Sequence, residues 1–117
     1  MFDDLSPEQQ LRFDLALIHR YMADHHWHEG VVNHLTAMLP GSVEHFLALP
    51  YGLHWSEVKS SDFLVAGFDG HVVSGVGEVE PSNLNIHGAI HQHVPRARAI
   101  LHSHQPNITA LTLLKDQ

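Results

Sequence analysis

The dipeptide Asp69-Gly70 lies between two apolar runs and limits the folds open to this sequence more than any other feature. The runs cover residues 62–68 and 71–74. An Asp-Gly pair between such runs favours a two-residue turn whose central residues take positive φ angles, and this turn joins antiparallel strands. The sequence therefore predicts a β-hairpin, and with it an antiparallel meander, in the middle of the chain.

Three further runs of apolar residues, each bounded by turn residues, extend the predicted sheet. They cover residues 31–39, 45–49 and 98–103. Runs of this length and composition are typical of strands. We expect the run at 98–103 to be a buried strand that follows a short helix over residues 86–93.

The first helix has both a start signal and a core-facing side. Ser6 is predicted to cap it, with Pro7 at the first helical position and Gln9 completing a capping box. The apolar residues that recur with a helical period are Leu11, Leu15, Ile18 and Met22. We expect this helix to end near Trp27, and a last helix to begin at Pro106. The apolar stripe of the last helix would contain Ile108, Leu111 and Leu114.

Composition excludes several classes of protein. Thirteen acidic and six basic residues give a net charge of -7, which argues against binding to the phosphates of nucleic acid. The chain has no cysteine, and no apolar run approaches the roughly 20 residues needed to cross a bilayer. We therefore expect a cytoplasmic protein that binds neither nucleic acid nor a membrane.

His102 and His104 carry the strongest chemical signal. Side chains two residues apart on a strand leave the same face about 6.6 Å apart along the backbone, so two imidazoles can lean onto one ion. A catalytic zinc usually takes three protein ligands and keeps one position open. The pair is therefore half of a possible metal site, and the alternative is two partly buried histidines that bind backbone carbonyls.

Several motifs, in their order and spacing, resemble the class II aldolase/adducin family. The matching segments are Tyr21, residues 27–30, 32–36, 46–58, the Asp69-Gly70 hairpin, residues 86–91 and 101–104. The resemblance implies an α/β fold, a three-layer α/β/α sandwich around a largely antiparallel sheet. It covers nearly the whole chain, which we expect to be one domain over residues 1–117 that is truncated at its C-terminus.

The resemblance also implies roles for particular residues. His102 and His104 match the two strand-borne zinc ligands of the family. The residues that match the loops holding the substrate's phosphate or carboxylate are Gly30, Asn33, Gly52 and Ser82. Glycine allows backbone N–H groups to approach an anion closely, and an amide adds a neutral donor.

Two departures weaken the catalytic reading. Asn83 stands four residues before His87, where the family's enzymes carry an acid/base carboxylate, and an amide cannot exchange a proton in that way. Glu78 and Glu80 lie just upstream and would replace that carboxylate only in a differently threaded loop. The family's third zinc histidine has no counterpart in these 117 residues.

The remaining histidines have simpler interpretations. His87 and His91 stand four residues apart on the predicted short helix, and we favour packing or hydrogen bonding to the zinc ligands over direct ligation. The cluster His25, His26 and His28 is expected to be a solvated helix end.

Three functional hypotheses remain open. The first is a zinc-dependent aldolase-like lyase that acts on a small phosphorylated or carboxylated sugar, with the metal stabilising an enediolate, in a homo-oligomer. The second is a non-catalytic, adducin-like module for protein interaction. The third is a piece without activity of its own, whose last helix would self-associate.

Overall fold

A computed structural model describes residues 4–115 and places a five-stranded sheet between helices. The helices are α1 (Pro7–Asp24), α2 (Pro81–Asn83), α3 (Ala89–His93) and α4 (Pro106–Thr112). A π-helical segment, Leu84–Gly88, joins α2 to α3. The strands are β1 (His34–Met38), β2 (His45–Ala48), β3 (Leu64–Gly67), β4 (Val72–Ser74) and β5 (Ala99–His102). Two 3-10 turns, Trp55–Glu57 and Ser60–Asp62, lie between β2 and β3.

The sheet is antiparallel throughout, with the strand order β4-β3-β2-β1-β5. The predicted hairpin is confirmed, because β3 and β4 pair across a turn in which Gly70 has a φ of 85°. Gly67 donates its N–H to the carbonyl of His71 at 3.0 Å, and Asp69 Oδ1 accepts the N–H of His71 at 2.9 Å. The last strand, β5, crosses back to pair with β1.

The two faces of the sheet bury different side chains. On one face, residues of β1, β2 and β3 pack against α1 and Trp55, in a cluster that includes Leu15, Met22, Leu35, Leu47 and Val65. On the other face, a smaller cluster contains Met38, Phe46, Ala48 and Ala66, with Leu84 of the helical stretch packed on it. Helices therefore cover both faces, and the predicted α/β/α arrangement is confirmed.

The start of α1 follows the prediction, but its end and its buried side do not. Ser6 Oγ accepts the N–H of Gln9 at 3.2 Å, and the Gln9 side chain accepts the N–H of Ser6 at 2.8 Å. The helix ends at Asp24 rather than near Trp27, because His26 takes a φ of 56°. The expectation that Ile18 faces the core is wrong, since Ile18 is 42% exposed.

Three predicted boundaries are also wrong, each for a local reason. Strand β1 begins at His34 rather than at residue 31, because residues 29–32 form a turn closed by a hydrogen bond from Val32 N–H to the Glu29 carbonyl. The strand predicted from residue 62 begins at Leu64, because Asp62 closes a 3-10 turn. The helix predicted from residue 86 already begins at Pro81, in the first helical position after its cap.

Strand β5 is an edge strand and not the buried strand that the sequence predicts. It pairs with β1 alone within the described residues, and Leu101 is 47% exposed. Helix α4 begins at Pro106 as predicted, and its Ile108 is 59% exposed. Among residues 4–115, no helix has the length and apolar character that crossing a membrane requires.

Candidate metal and ligand site

His102 and His104 point towards each other at the end of β5. Their Nε2 atoms are 3.1 Å apart and their ring centroids 4.9 Å apart. Two nitrogens that each bind one ion at about 2.0–2.1 Å lie about this far apart. Burial, followed by the neighbouring His104, lowers the pKa of His102, which keeps this ring neutral and able to ligate.

The loop after α1 holds His104 in place. The N–H of His104 donates to the carbonyl of Trp27 at 2.9 Å, and His104 Nδ1 lies 3.2 Å from Glu29 Oε2. A carboxylate on the second nitrogen of a ligating imidazole is a common way to fix the ring and raise its basicity. No pattern in the sequence predicts this role for Glu29.

Beside the pair, β1 contributes His34, which no sequence pattern singled out. The register of β1 against β5 sets His34 opposite His102, with ring centroids 5.7 Å apart. His34 Nε2 also lies 3.0 Å from Oε2 of Glu80, the cap residue of α2. Burial lowers the pKa of His34, although Glu80 acts in the opposite direction.

Glu80 is a structured carboxylate next to Asn83. Its Oε2 accepts hydrogen bonds from the Asn83 N–H at 3.0 Å and from the Ser82 hydroxyl. Burial acts to raise the pKa of Glu80, but these hydrogen bonds together lower it below its ordinary value, so the group is anionic.

Behind His34, three buried side chains form a hydrogen-bonded network. Thr36 Oγ1 lies 2.8 Å from His87 Nδ1 and 2.8 Å from His91 Nε2. His91 Nδ1 donates to the carbonyl of Ala97 at 2.8 Å, so its Nε2 is the acceptor of the Thr36 hydroxyl. Thr36 must then accept the Nδ1–H of His87, whose Nε2 is buried and has no partner among the described residues. His87 and His91 thus pack as expected.

The residues expected to bind an anion have different roles in the fold. Gly30 and Gly52 take φ angles of 52° and 93°, which glycine adopts readily. Asn33 is 4% exposed, and its Oδ1 accepts the N–H of Glu29. Within the part of the chain that the structure describes, the Asn33 Nδ2 has no hydrogen-bond partner. The Ser82 hydroxyl already donates to Glu80. Which of these groups binds a ligand stays a prediction.

A narrow pocket of about 20 Å³ opens between β1, the loop at residues 49–55 and the start of α2. Its polar lining residues are His19, Asn33, His34, Glu80 and Asn83, and its apolar walls include Leu35, Leu53 and Trp55. Asn83 is 3% exposed, and its Oδ1 has no hydrogen-bond partner among residues 4–115. Glu80 therefore lines the same pocket as the residue that stands at the family's acid/base position.

His19 is a second site residue that sequence reasoning missed. It is fully buried on α1, with its ring 4.7 Å from that of Trp55. Its Nδ1 lies 2.6 Å from the carbonyl of Leu15, and burial lowers its pKa to about 4. A polar residue at a core position of a helix was the available signal, and the apolar stripe concealed it.

One further pair lies outside the predicted site. His28 Nε2 and His54 Nε2 are 3.1 Å apart, and His28 stacks on Trp55 with centroids 5.3 Å apart. The expectation that His28 is solvated is wrong, because its side chain is half-buried and burial lowers its pKa. Across residues 4–115, no three histidine or carboxylate side chains converge on one point that could hold a metal.

Comparisons with known proteins agree on a family. The family model described as Class II Aldolase and Adducin N-terminal domain matches residues 13–117. An adducin-related protein of Schizosaccharomyces pombe is 33% identical over 115 residues, which is 92% of this chain and 36% of that protein. An aldolase II superfamily protein from Pseudomonas syringae superposes with a TM-score of 0.87 and 32% identity, over 97% of this chain and 47% of the other. L-fuculose 1-phosphate aldolase from Glaciozyma antarctica superposes with a TM-score of 0.82 and 30% identity, over 90% of this chain and 44% of the aldolase chain.

Each comparison spans most of this chain but less than half of the matched protein. The matches include both an aldolase and an adducin-related protein, so they do not separate an enzyme from an interaction module. The family model covers nearly every described residue, from the middle of α1 to the end of α4. The chain belongs to the class II aldolase and adducin family.

Proposed function

We propose that this chain is part of a metal-dependent, aldolase-like lyase that acts on a small phosphorylated or carboxylated sugar derivative. The observation that carries the proposal is the convergence of His102 and His104, whose Nε2 atoms are 3.1 Å apart. Solved relatives that include an L-fuculose 1-phosphate aldolase support the reaction class. We extend the proposal to a cytoplasmic homo-oligomer.

The residues present fit two of the three ligands that a catalytic zinc takes. His102 and His104 would hold the ion, and Glu29 would orient His104 through its Nδ1. A divalent ion at this place supplies positive charge next to a substrate carbonyl oxygen, where negative charge develops in a retro-aldol cleavage. A third ligand would come from outside the described residues.

Proton transfer needs a group other than Asn83. Glu80 lines the same pocket, is anionic, and lies 3.0 Å from His34 Nε2. In the proposed enzyme, Glu80 would accept the proton of the substrate hydroxyl as the carbon–carbon bond breaks to give the aldehyde, and would return that proton to the enediolate carbon. The Asn83 amide cannot do this, and His34 would hold the Glu80 carboxylate in place. Gly30, Asn33, Gly52 and Ser82 remain the candidates for the anionic end of the substrate, although the Ser82 hydroxyl would first have to leave Glu80.

Metal binding by the protein is the first test. We expect close to one zinc per chain in equilibrium dialysis, and a loss of affinity of at least a hundredfold in both His102→Ala and His104→Ala. His93→Ala is the matched control, because His93 is exposed on α3 and away from the pair. Unchanged zinc binding in the two site variants would contradict the proposed metal centre.

Turnover is the second test. The zinc-loaded full-length protein, of which this chain is part, is offered a panel of sugar phosphates and aldonates, and aldehyde release is followed with a coupled dehydrogenase. We expect release from at least one compound, with Glu80→Gln slower by at least a hundredfold and zinc content unchanged. Zinc binding without turnover on the whole panel would refute the lyase.

A second candidate function is an adducin-like interaction module. The observation that favours it is Asn83, which removes the family's usual acid/base carboxylate. In that case we expect a folded, metal-free oligomer, which light scattering and metal analysis of the same sample would identify.

A further inference from the structure

His28 and His54 form a second pair of converging imidazoles, outside the pocket that contains Glu80. Their Nε2 atoms face each other at 3.1 Å, and neither residue lines that pocket. An ion bound to both nitrogens at about 2.0–2.1 Å would make an N–ion–N angle of about 100°. This angle lies between the ideal angles of octahedral and tetrahedral ions, so the common coordination geometries of divalent metals fit the pair.

Both rings are held in place by contacts that do not use Nε2. The His28 ring stacks on that of Trp55, with centroids 5.3 Å apart and planes 7° apart. His54 caps the first 3-10 turn, where its Nδ1 accepts the N–H of Ser56 at 3.2 Å and lies 2.7 Å from the Ser56 hydroxyl. Ligands that are oriented before an ion arrives lose little conformational freedom when they bind it.

The protons of the two rings can be assigned from their neighbours. Burial, and then the neighbouring His54, lowers the pKa of His28, so its ring is neutral at pH 7.5. The Ser56 N–H occupies Nδ1 of His54, which leaves the His54 proton on Nε2, directed at His28. Metal binding moves this proton to Nδ1, where the Ser56 hydroxyl oxygen can accept it. The change is a shift of tautomer, with no net release of a proton.

Packing alone does not account for His28. Because its Nε2 accepts from His54, the proton of His28 lies on Nδ1, which is buried and has no partner in the described part of the chain. An unpaired buried donor destabilises a fold, and phenylalanine would stack on Trp55 without that cost. A ligand for Nε2 explains why a nitrogen is present at this position.

We infer that His28 and His54 bind a divalent transition-metal ion through their Nε2 atoms, with water completing its coordination, at a site separate from the pair at the end of β5. Imidazole suits zinc, copper and nickel, and a net charge of -7 favours a cation. The ion ties the loop after α1 to the loop before the first 3-10 turn. These loops carry Glu29, which contacts the β5 pair, and Leu53, which lines the pocket. The ion therefore fastens together two segments that border the candidate site.

Zinc fills the two sites in a defined order. Glu29 lies on the outer nitrogen of His104 and raises its basicity, whereas the outer nitrogen of His54 faces a hydroxyl. We expect one zinc per chain at the β5 pair, and a second only at a free zinc concentration at least a hundredfold higher. Copper binds nitrogen ligands more tightly than zinc does, so it fills the second site at a lower concentration.

Nitrogen-15 NMR of the histidine rings tests the inference without any assay of turnover. The double variant His102→Ala/His104→Ala of the full chain is titrated with zinc chloride at pH 7.5. We expect saturation at one zinc per chain, shifts of Nε2 in His28 and His54, and transfer of the His54 proton to Nδ1. Tm should rise with zinc, because the ion binds the folded chain. No saturable response, or a response of other histidines alone, would overturn the inference.

Three further substitutions in the double variant separate this pair from the other histidines at the end of α1. His28→Phe keeps a ring on Trp55 and His54→Ser keeps a cap for the 3-10 turn, so each removes the ligating nitrogen with little change in packing. We expect each to weaken zinc binding at least thirtyfold and to abolish the rise in Tm. His26→Asn is the control, because His26 is exposed in the same loop and asparagine tolerates its φ of 56°.

Unchanged zinc affinity in His28→Phe or His54→Ser would overturn the inference. So would an equal loss in His26→Asn, which would assign the binding to the exposed histidines after α1. The result is independent of the proposed lyase. Zinc at His28 and His54, with none at His102 and His104 in the unsubstituted chain, would refute the lyase and leave the second site in place.

Discussion

Mild acid should destabilise this fold, and the buried histidines set the size of the effect. Burial lowers the pKa of His19 and of His87 from 6.5 to about 4. Both side chains are almost completely buried, at 0% and 1% exposure. The unfolded chain therefore binds protons between pH 6.5 and 4 that the folded chain excludes. The stability from these two groups is complete above pH 6.5 and is lost as the pH falls towards 4.

The magnitude follows from the two pKa values. At pH 5 an unfolded histidine is almost fully protonated and a buried one is still mostly neutral, which costs the folded state about 2 kcal/mol per residue relative to pH 7.5. His19 and His87 together give about 4 kcal/mol. Burial also lowers the pKa of His34 and of His91, so their effects have the same sign. A loss of this size is a large part of the 5–15 kcal/mol typical of a domain.

Urea unfolding in chelator, followed by tryptophan fluorescence at pH 7.5, 6 and 5, measures the free energy of unfolding directly. His19→Phe should reduce the loss between pH 7.5 and 5 by about 2 kcal/mol, because phenylalanine does not titrate. His71→Phe is the control, since His71 is exposed at the β3–β4 turn. A free energy of unfolding that is flat between pH 7.5 and 5 would refute the reasoning, as would equal pH dependence in the two variants.

Two further changes test the packing around the site. Thr36→Val should lower the free energy of unfolding, measured in urea, by about 2–4 kcal/mol, because it leaves buried nitrogens of His87 and His91 unpaired. Thr36→Ser keeps the hydroxyl and should lower it by only about 1 kcal/mol. Equal losses in the two variants would contradict the assigned network. Gly75→Ala should lower the free energy of unfolding by about 2 kcal/mol or more, since Gly75 has a φ of 101° and a Cβ would lie 3.2 Å from Leu64 Cα. Gly41→Ala, at a φ of 77° with open space around it, should cost only about 1 kcal/mol by the same measurement.

The sequence predicted those parts of the fold that depend on local chemistry. The capping box at Ser6, the Asp69-Gly70 hairpin and the start of α4 at Pro106 each follow from residues that are neighbours in the chain. The errors arise where tertiary contacts decide. A helical period of apolar residues cannot show whether Ile18 or His19 faces the core, and an apolar strand such as β5 does not reveal that it lies at an edge.

The candidate site was predictable to the extent that it lies within one short segment, formed by the end of β5 and the two residues that follow it. The spacing of His102 and His104 is a local property, and their convergence follows from it. The rest depends on strand register and long-range packing. His34 faces His102 only because β1 pairs with β5 in this register, and Glu80 reaches His34 only because α2 begins at Pro81. Neither contact, His34 with His102 or Glu80 with His34, can be predicted from the spacing of the residues in the sequence.

The thirteen histidines of this chain, an abnormal number, have a structural explanation in part. Four of them, His19, His34, His87 and His91, are buried close to the sheet, where leucine or phenylalanine would give a more stable and less acid-sensitive core. Two of these imidazoles interact with the pair at the end of β5: the His34 ring lies 5.7 Å from that of His102, and His87 is close enough to His102 to feel its charge. Buried imidazoles that lower stability, with His34 only 5.7 Å from His102 between ring centroids, are best explained by binding.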